Sequence, residues 1–206
     1  MPELRFRFVK EGRAAYLSHL DMMRTFQRAF LRAGWRVRHS EGFNPHPKMS
    51  ITMPLQLGCE SGCEALDVSL LELPEKPVEA LNRVLPEGIR VLNAYPPEMP
   101  VREIAWTEWT LRFPSATDAA QAEAVLKQPS LPVEKKTKRG FGTLDIAPHT
   151  KVLDRNGEKL SIRLRAAEPT VNCGDVQKAI SAFLPEQAAF RALRTGLKTQ
   201  DMADFR

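Results

Sequence analysis

A proline-rich join, Tyr95-Pro96-Pro97-Glu98-Met99-Pro100, constrains this 206-residue chain more than any other feature. Three prolines in six residues remove backbone donors and fix φ, so neither a helix nor a central strand passes through it. The same order of elements is expected on each side of the join. Before it, Leu4, Phe6 and Phe8 alternate with Arg5 and Arg7, the period of a strand with one buried face. Ser18-His19-Leu20-Asp21 has the form of a capping box, and Gly34 is a plausible helix stop. A short strand is expected over Trp35–Arg38 and a loop over Gly42–Pro47. Ile51, Met53, Leu55 and Leu57 alternate as a further strand, and Glu64–Leu71 reads as extended. Pro77–Leu85 reads as a helix and Ile89–Asn93 as a closing strand.

After the join the pattern recurs. Ile104–Phe113 is expected as a strand, Thr117–Lys127 as a helix and Leu131–Val133 as a short strand. Thr143–Leu153 and Lys159–Arg165 flank Asn156-Gly157, a two-residue hairpin signal. Asp175–Leu184 places Val176, Ala179, Ile180 and Phe183 on one helical face, and the tail reads as either a helix or a strand near Leu193. Both halves thus follow strand-helix-strand-strand-helix-strand, the ferredoxin-like order. The expected fold class is α+β, with two tandem ferredoxin-like units at 1–97 and 98–206, each with an extra hairpin or strand.

A 43% hydrophobic content allows a sizeable core, and no apolar run reaches the ~20 residues of a membrane helix. Residues Met1–Lys10 lack an uninterrupted apolar stretch, so neither a signal peptide nor a membrane role is expected. Cys59, Cys63 and Cys173 make an odd count, which fits a reducing cytoplasm better than a disulfide framework. The net charge of +5 permits a polyanionic partner without specifying one.

The position of the basic residues says more. On a wheel of about 100° per residue, Met22, Met23, Phe26, Ala29, Phe30 and Ala33 share one arc. Arg24, Arg28 and Arg32 take the opposite arc, and Arg36 and Arg38 continue the run with no acid between Met22 and Ser40. A solvated face with Asp21 pairing Arg24 or Arg28 is one reading. A ridge that tracks phosphates is the other, because guanidinium forks match phosphate oxygens. The loop Ser40-Glu41-Gly42-Phe43-Asn44-Pro45-His46-Pro47-Lys48 is stiffened by two prolines around a histidine. Phe43 or His46 can stack on a base, with Asn44 and Lys48 beside them. Alternatively, Phe43 plugs the core and His46 caps a backbone group. Lys135, Lys136, Lys138 and Arg139 form a second basic cluster, readable as a solvated loop or as an RNA contact.

Tyr16-Leu17-Ser18-His19-Leu20-Asp21, Phe26-Gln27-Arg28-Ala29, the Ser40–Lys48 loop and Pro54-Leu55-Gln56-Leu57-Gly58 together resemble the radical-SAM-linked, or radical-SAM-associated, family of bacterial proteins of unknown function. Farther along, Lys135-Lys136-Thr137-Lys138-Arg139-Gly140 and Leu144-Asp145-Ile146 resemble that family's basic run and its Asp-Ile-Arg-Pro signature, with Ala147 where the arginine is expected. The resemblance implies a partner, a radical SAM enzyme with a cobalamin-binding-type domain. Family members form that enzyme's C-terminal part or are encoded beside it. It also implies an RNA context, since such genes often neighbour those of ribonuclease G-type and ribosomal proteins.

A catalytic centre is harder to find. Cys59-x3-Cys63 lacks the third cysteine of a radical SAM cluster, because position 66 is Leu66. His19, His46, Cys59 and Cys63 have no diagnostic zinc spacing, so no metal and no cofactor is expected. His19, Asp21 and His46 are the acid–base candidates. The expectation is an RNA-binding or substrate-presenting accessory in tRNA or rRNA modification or processing. A protein–protein adaptor and a metal-independent ribonuclease-like enzyme are the alternatives.

Overall fold

The computed structural model describes residues 3–137, 140–184 and 189–206. It is a mixed α+β protein, with four helices and mainly antiparallel sheet among the described residues. The chain divides into two compact units, one running to Val101 and taking in Arg206, the other spanning Arg102–Phe205.

The first unit runs β1 (Glu3–Lys10), α1 (His19–Arg32), β2 (Met49–Thr52), β3 (Glu60–Ser69), α2 (Pro77–Asn82) and β4 (Ile89–Tyr95). Its strands lie in the order β4-β1-β3-β2, every neighbour antiparallel. Phe6, Phe8, Ile51 and Leu66 on the sheet meet Met22, Phe26, Ala29 and Phe30 of α1 in one core. The Phe8 and Phe26 rings meet edge to face at 4.8 Å, a geometry that satisfies both quadrupoles.

Three expectations need correction. The alternation in β1 does not leave its charged residues in water, since Arg5 is 1% exposed. Its Nε and Nη2 donate to the two Asp67 carboxylate oxygens at 2.7 and 2.8 Å, and Nη1 donates to the Met99 and Arg206 carbonyls. Trp35–Arg38 forms no regular strand; Val37 and Leu70, then His39 and Pro47, make isolated bridges. The run from Ile51 to Leu57 stops as a strand at Thr52. Met53 takes φ of 51°, and Pro54 cannot donate to a ladder.

The second unit runs β5 (Trp106–Arg112), α3 (Ala116–Leu126), β6 (Pro132–Thr137), β7 (Gly140–Asp145), β8 (Thr150–Asn156), β9 (Lys159–Arg165), α4 (Cys173–Phe183) and β10 (Arg191–Lys198). Its main strands lie in the order β10-β5-β9-β8, again antiparallel, while β6 and β7 pair separately. The stretch expected as one strand, Thr143–Leu153, is broken by a helical turn at Ala147–His149. Asn156-Gly157 does mark a hairpin, its two-residue turn falling on Gly157 and Glu158 between the paired Asn156 and Lys159. The ambiguous tail is a strand, β10.

Candidate nucleic-acid interface

Helix α1 owes its start and its end to local sequence. Ser18 Oγ accepts from the Asp21 amide at 3.1 Å, which satisfies one orphan donor of the first turn. The Asp21 carboxylate does not close the expected box; it accepts the Ser18 hydroxyl at 2.7 Å instead. At the other end, Gly34 adopts φ of 77°. Its amide donates to the Leu31 carbonyl, and the Trp35 amide donates to Phe30. These are the paired bonds of a Schellman stop, with the Trp35 ring stacked on Phe30 at 5.8 Å as its apolar contact. Trp35 also stacks on Phe6 at 6.0 Å. The chain therefore leaves α1 in a fixed direction, and the segment carrying Arg36 and Arg38 is set beside the helix. The Arg38 amide donates to Ser69 and the Leu71 amide to Arg36, anchoring that segment along β3.

The loop that follows is pinned at its base. The Ser40 amide donates to the His46 carbonyl at 2.8 Å, and the His46 amide donates to Ser40 Oγ at 3.0 Å. Phe43 sits at the tip, fully exposed, so it plugs no core. Asn44, His46 and Lys48 are exposed as well.

The five arginines differ in their surroundings. Arg24, Arg28, Arg32 and Arg36 are exposed and Arg38 is half-buried. Arg24 Nη1 lies 3.2 Å from Asp21 Oδ1, a surface pair of small energetic weight. Arg32 Nη2 donates to the Val84 carbonyl at 2.7 Å. Among the described residues, the Arg28, Arg36 and Lys48 side chains have no hydrogen-bond or ion-pair partner. The Ser18 hydroxyl, and then Arg24, hold the Asp21 carboxyl below the usual carboxylate range. Asp21 is thus an anion at neutral pH and unsuited to act as a general acid. No hydrogen bond or ion pair joins His46 to His19 or Asp21 among the described residues.

The second basic cluster is arranged differently. Lys135 is half-buried, 3.0 Å from the buried Asp175 carboxylate, and it also donates to the Thr170 carbonyl. It braces β6 against α4. Lys138 and Arg139 lie outside the described residues, as does the Lys136 side chain. The acid of the Leu144-Asp145-Ile146 signature is also a brace. Asp145 Oδ1 accepts the Leu131 amide at 2.7 Å and the Ala147 amide at 3.0 Å, and these bonds lower its pKa.

Two features escaped the sequence reading. One is a half-open groove of about 540 Å³ between the end of α1 and the segment after it. Its walls include Phe30, Leu31, Trp35 and Leu71, with Gln27, Arg36 and His39 among its polar lining. Leu31 is 75% exposed and Leu71 48%. The available signal was Leu31, a large apolar residue off the apolar arc of α1. The other feature is the burial of Lys10 and Glu64 beside Ser18 and His19. Lys10 Nζ donates to the Leu17 carbonyl at 3.0 Å. The space among them is about 10 Å³, at most the room of one water. Among the described residues, no group of three or more His, Cys, Asp or Glu side chains is placed to hold a metal ion.

A family described as an uncharacterized protein conserved in bacteria (DUF2344) matches residues 3–178. The chain belongs to that family. The matched span takes in α1, the Ser40–Lys48 loop and the residues that line the groove. No curated protein matches the chain. Among solved structures, a Cbf5-Nop10-Gar1 complex aligns over 96% of this chain at 12% identity with a TM-score of 0.46. This chain spans 50% of the length of that one. The acetolactate synthase small subunit from Thermotoga maritima gives 15% identity, 95% and 94% coverage and a TM-score of 0.25. A CRISPR-associated protein from Thermus thermophilus gives 17% identity, 93% and 98% coverage and a TM-score of 0.23. At such scores none of the three bears on what this chain does. Among the described residues, no helix is long and apolar enough to cross a membrane.

Proposed function

We propose that this DUF2344 member is an RNA-binding or substrate-presenting accessory protein that works beside a radical SAM enzyme in tRNA or rRNA modification or processing. The observation that carries the RNA half is the exposed arginine face of α1 and the segment after it. Guanidinium groups gathered on one face repel one another, and a phosphate backbone relieves that repulsion by counterion release. The partnership with the radical SAM enzyme rests on the sequence resemblance alone. We read each unit as a ferredoxin-like fold and as a separate domain, the second with β6–β7 inserted after its first helix. The matching strand orders, β4-β1-β3-β2 and β10-β5-β9-β8, support that reading. The protein has no catalytic activity of its own in this scheme, and three buried cysteines suit a cytoplasmic setting.

A protein–protein adaptor is the second reading, favoured by the exposure of Phe43, Leu31 and Leu71. Crosslinking in cells separates the two. Recovery of tRNA or rRNA fragments together with a radical SAM enzyme supports the first. Recovery of the enzyme without RNA supports the second, and recovery of neither refutes both.

A further inference from the structure

The groove between α1 and the Trp35–His39 segment has a composition that the arginine face alone does not explain. Exposing Leu31 and Leu71 across one cleft is unfavourable in water, since each leaves apolar surface hydrated. Its Trp35 wall is held in place by stacking on Phe6 and Phe30. The cleft is therefore already built before any ligand arrives, and its size of about 540 Å³ is that of a small-molecule site rather than an extended interface.

We infer that this groove takes a single unpaired nucleobase from an RNA strand whose phosphates lie on the arginines beside it. The inference rests on the RNA reading above and names a base-binding subsite within it. Charge favours this occupant over an apolar peptide. Among the described residues none that lines the groove is acidic, and Arg36 stands among the lining residues. On the helix wheel, Arg24 and Arg28 occupy the arc next to Gln27 and Leu31, so these two cations flank the groove on its helix side, while Arg32 turns away to the Val84 carbonyl. The polar groups suit a base edge. The Gln27 amide both donates and accepts. His39 Nδ1 lies 3.1 Å from the Val37 carbonyl. In the neutral ring that contact places the proton on Nδ1 and leaves Nε2 as an acceptor for an exocyclic amino group. A base stacked against Trp35 between the two leucines would cover the exposed apolar surface. Its sugar-phosphate would remain outside, within reach of Arg36.

The test compares two labelled strands of equal length, a single-stranded ribo-oligonucleotide and an abasic ribose-phosphate strand, by fluorescence anisotropy. Wild-type protein should hold the base-containing strand about tenfold more tightly. The Leu31→Ala/Leu71→Ala variant should lose that advantage while binding the abasic strand as wild type does. Gln27→Ala/His39→Ala should reduce it as well. All four side chains lie at the groove, and circular dichroism of each variant confirms folding. Equal wild-type affinity for the two strands would overturn the base site and leave the RNA reading standing. Binding of neither strand would remove the RNA reading, and the inference with it. A photo-crosslinker at position 31 that captures RNA in cells supports the base site; one that captures protein and no RNA overturns it.

Discussion

Loss of Arg5 should destabilise the first unit substantially. Its guanidinium is 1% exposed and serves four acceptors: both Asp67 oxygens and the Met99 and Arg206 carbonyls. Replacing it with methionine keeps much of the volume but takes the guanidinium donor away from a carboxylate and two carbonyls, of which the Arg206 oxygen keeps only the Met99 amide. Removing one member of a buried ion pair costs about 3–5 kcal/mol. The Asp67 side chain is 28% exposed, so water recovers part of its solvation. The lower end, about 3 kcal/mol, is therefore the expected cost of Arg5→Met. Arg5→Lys retains the charge but not the fork, and should cost about 2 kcal/mol. Hydrogen exchange at β1 and β3 amides reads the opening free energy of the first unit without assuming that the whole chain unfolds in one step. Arg5→Met/Asp67→Leu should be less destabilised than the sum of the single changes. A loss below about 1 kcal/mol in Arg5→Met would refute the reasoning, because the four contacts would then be energetically idle.

Other outcomes follow from single positions. Gly34→Ala meets nothing within 4 Å but must hold φ of 77°, so it should cost about 1 kcal/mol in urea denaturation. Gly88→Ala holds φ of 84° and also places its Cβ 2.5 Å from the Glu11 carbonyl oxygen, so it should cost clearly more; equal costs would contradict the packing described. The Asp145 carboxyl is shifted downward by the Leu131 and Ala147 amides. Its contribution is therefore complete above the unfolded carboxylate pKa of ~3.9 and is lost as pH falls through the lower folded value. The urea midpoints of wild type and Asp145→Asn should differ at pH 6 and converge in strong acid; a gap that widens on acidification would contradict this. Metal analysis of chelator-free protein is expected to find no stoichiometric zinc, and a near-stoichiometric level lost on Cys59→Ser would overturn that view.

Periodicity and punctuation made much of the fold legible. Phe26, Ala29 and Phe30 lie at helical spacing and form the buried face of α1, and Gly34 ends it. Asn156-Gly157 marked the β8–β9 hairpin because few residues accept the turn geometry. What failed was whatever depended on distant partners. Arg5 reads as a solvent-facing strand residue, and only Asp67, 62 positions away, accounts for its burial. Lys135 reads as part of a solvated basic run, yet Asp175 draws it inward. The halt of β2 at Thr52 was masked by continuing alternation, although Pro54 offered a warning. At the candidate site the arginine run was visible as composition. The groove was not, because Leu71 joins Leu31 in one lining only after the chain has folded back along β3.

Salt dependence of RNA binding tests the central claim most directly. Affinity for a single-stranded RNA, measured from 50 to 200 mM salt, should fall steeply for wild type. Replacing Arg28 or Arg36 with alanine should flatten the log–log slope by about 0.7–1 each. Changing Arg24, Arg28, Arg32, Arg36 and Arg38 together should remove roughly 3–4 units of slope and most of the affinity in a variant whose circular dichroism matches wild type. Unchanged affinity and slope in that folded variant would contradict the account.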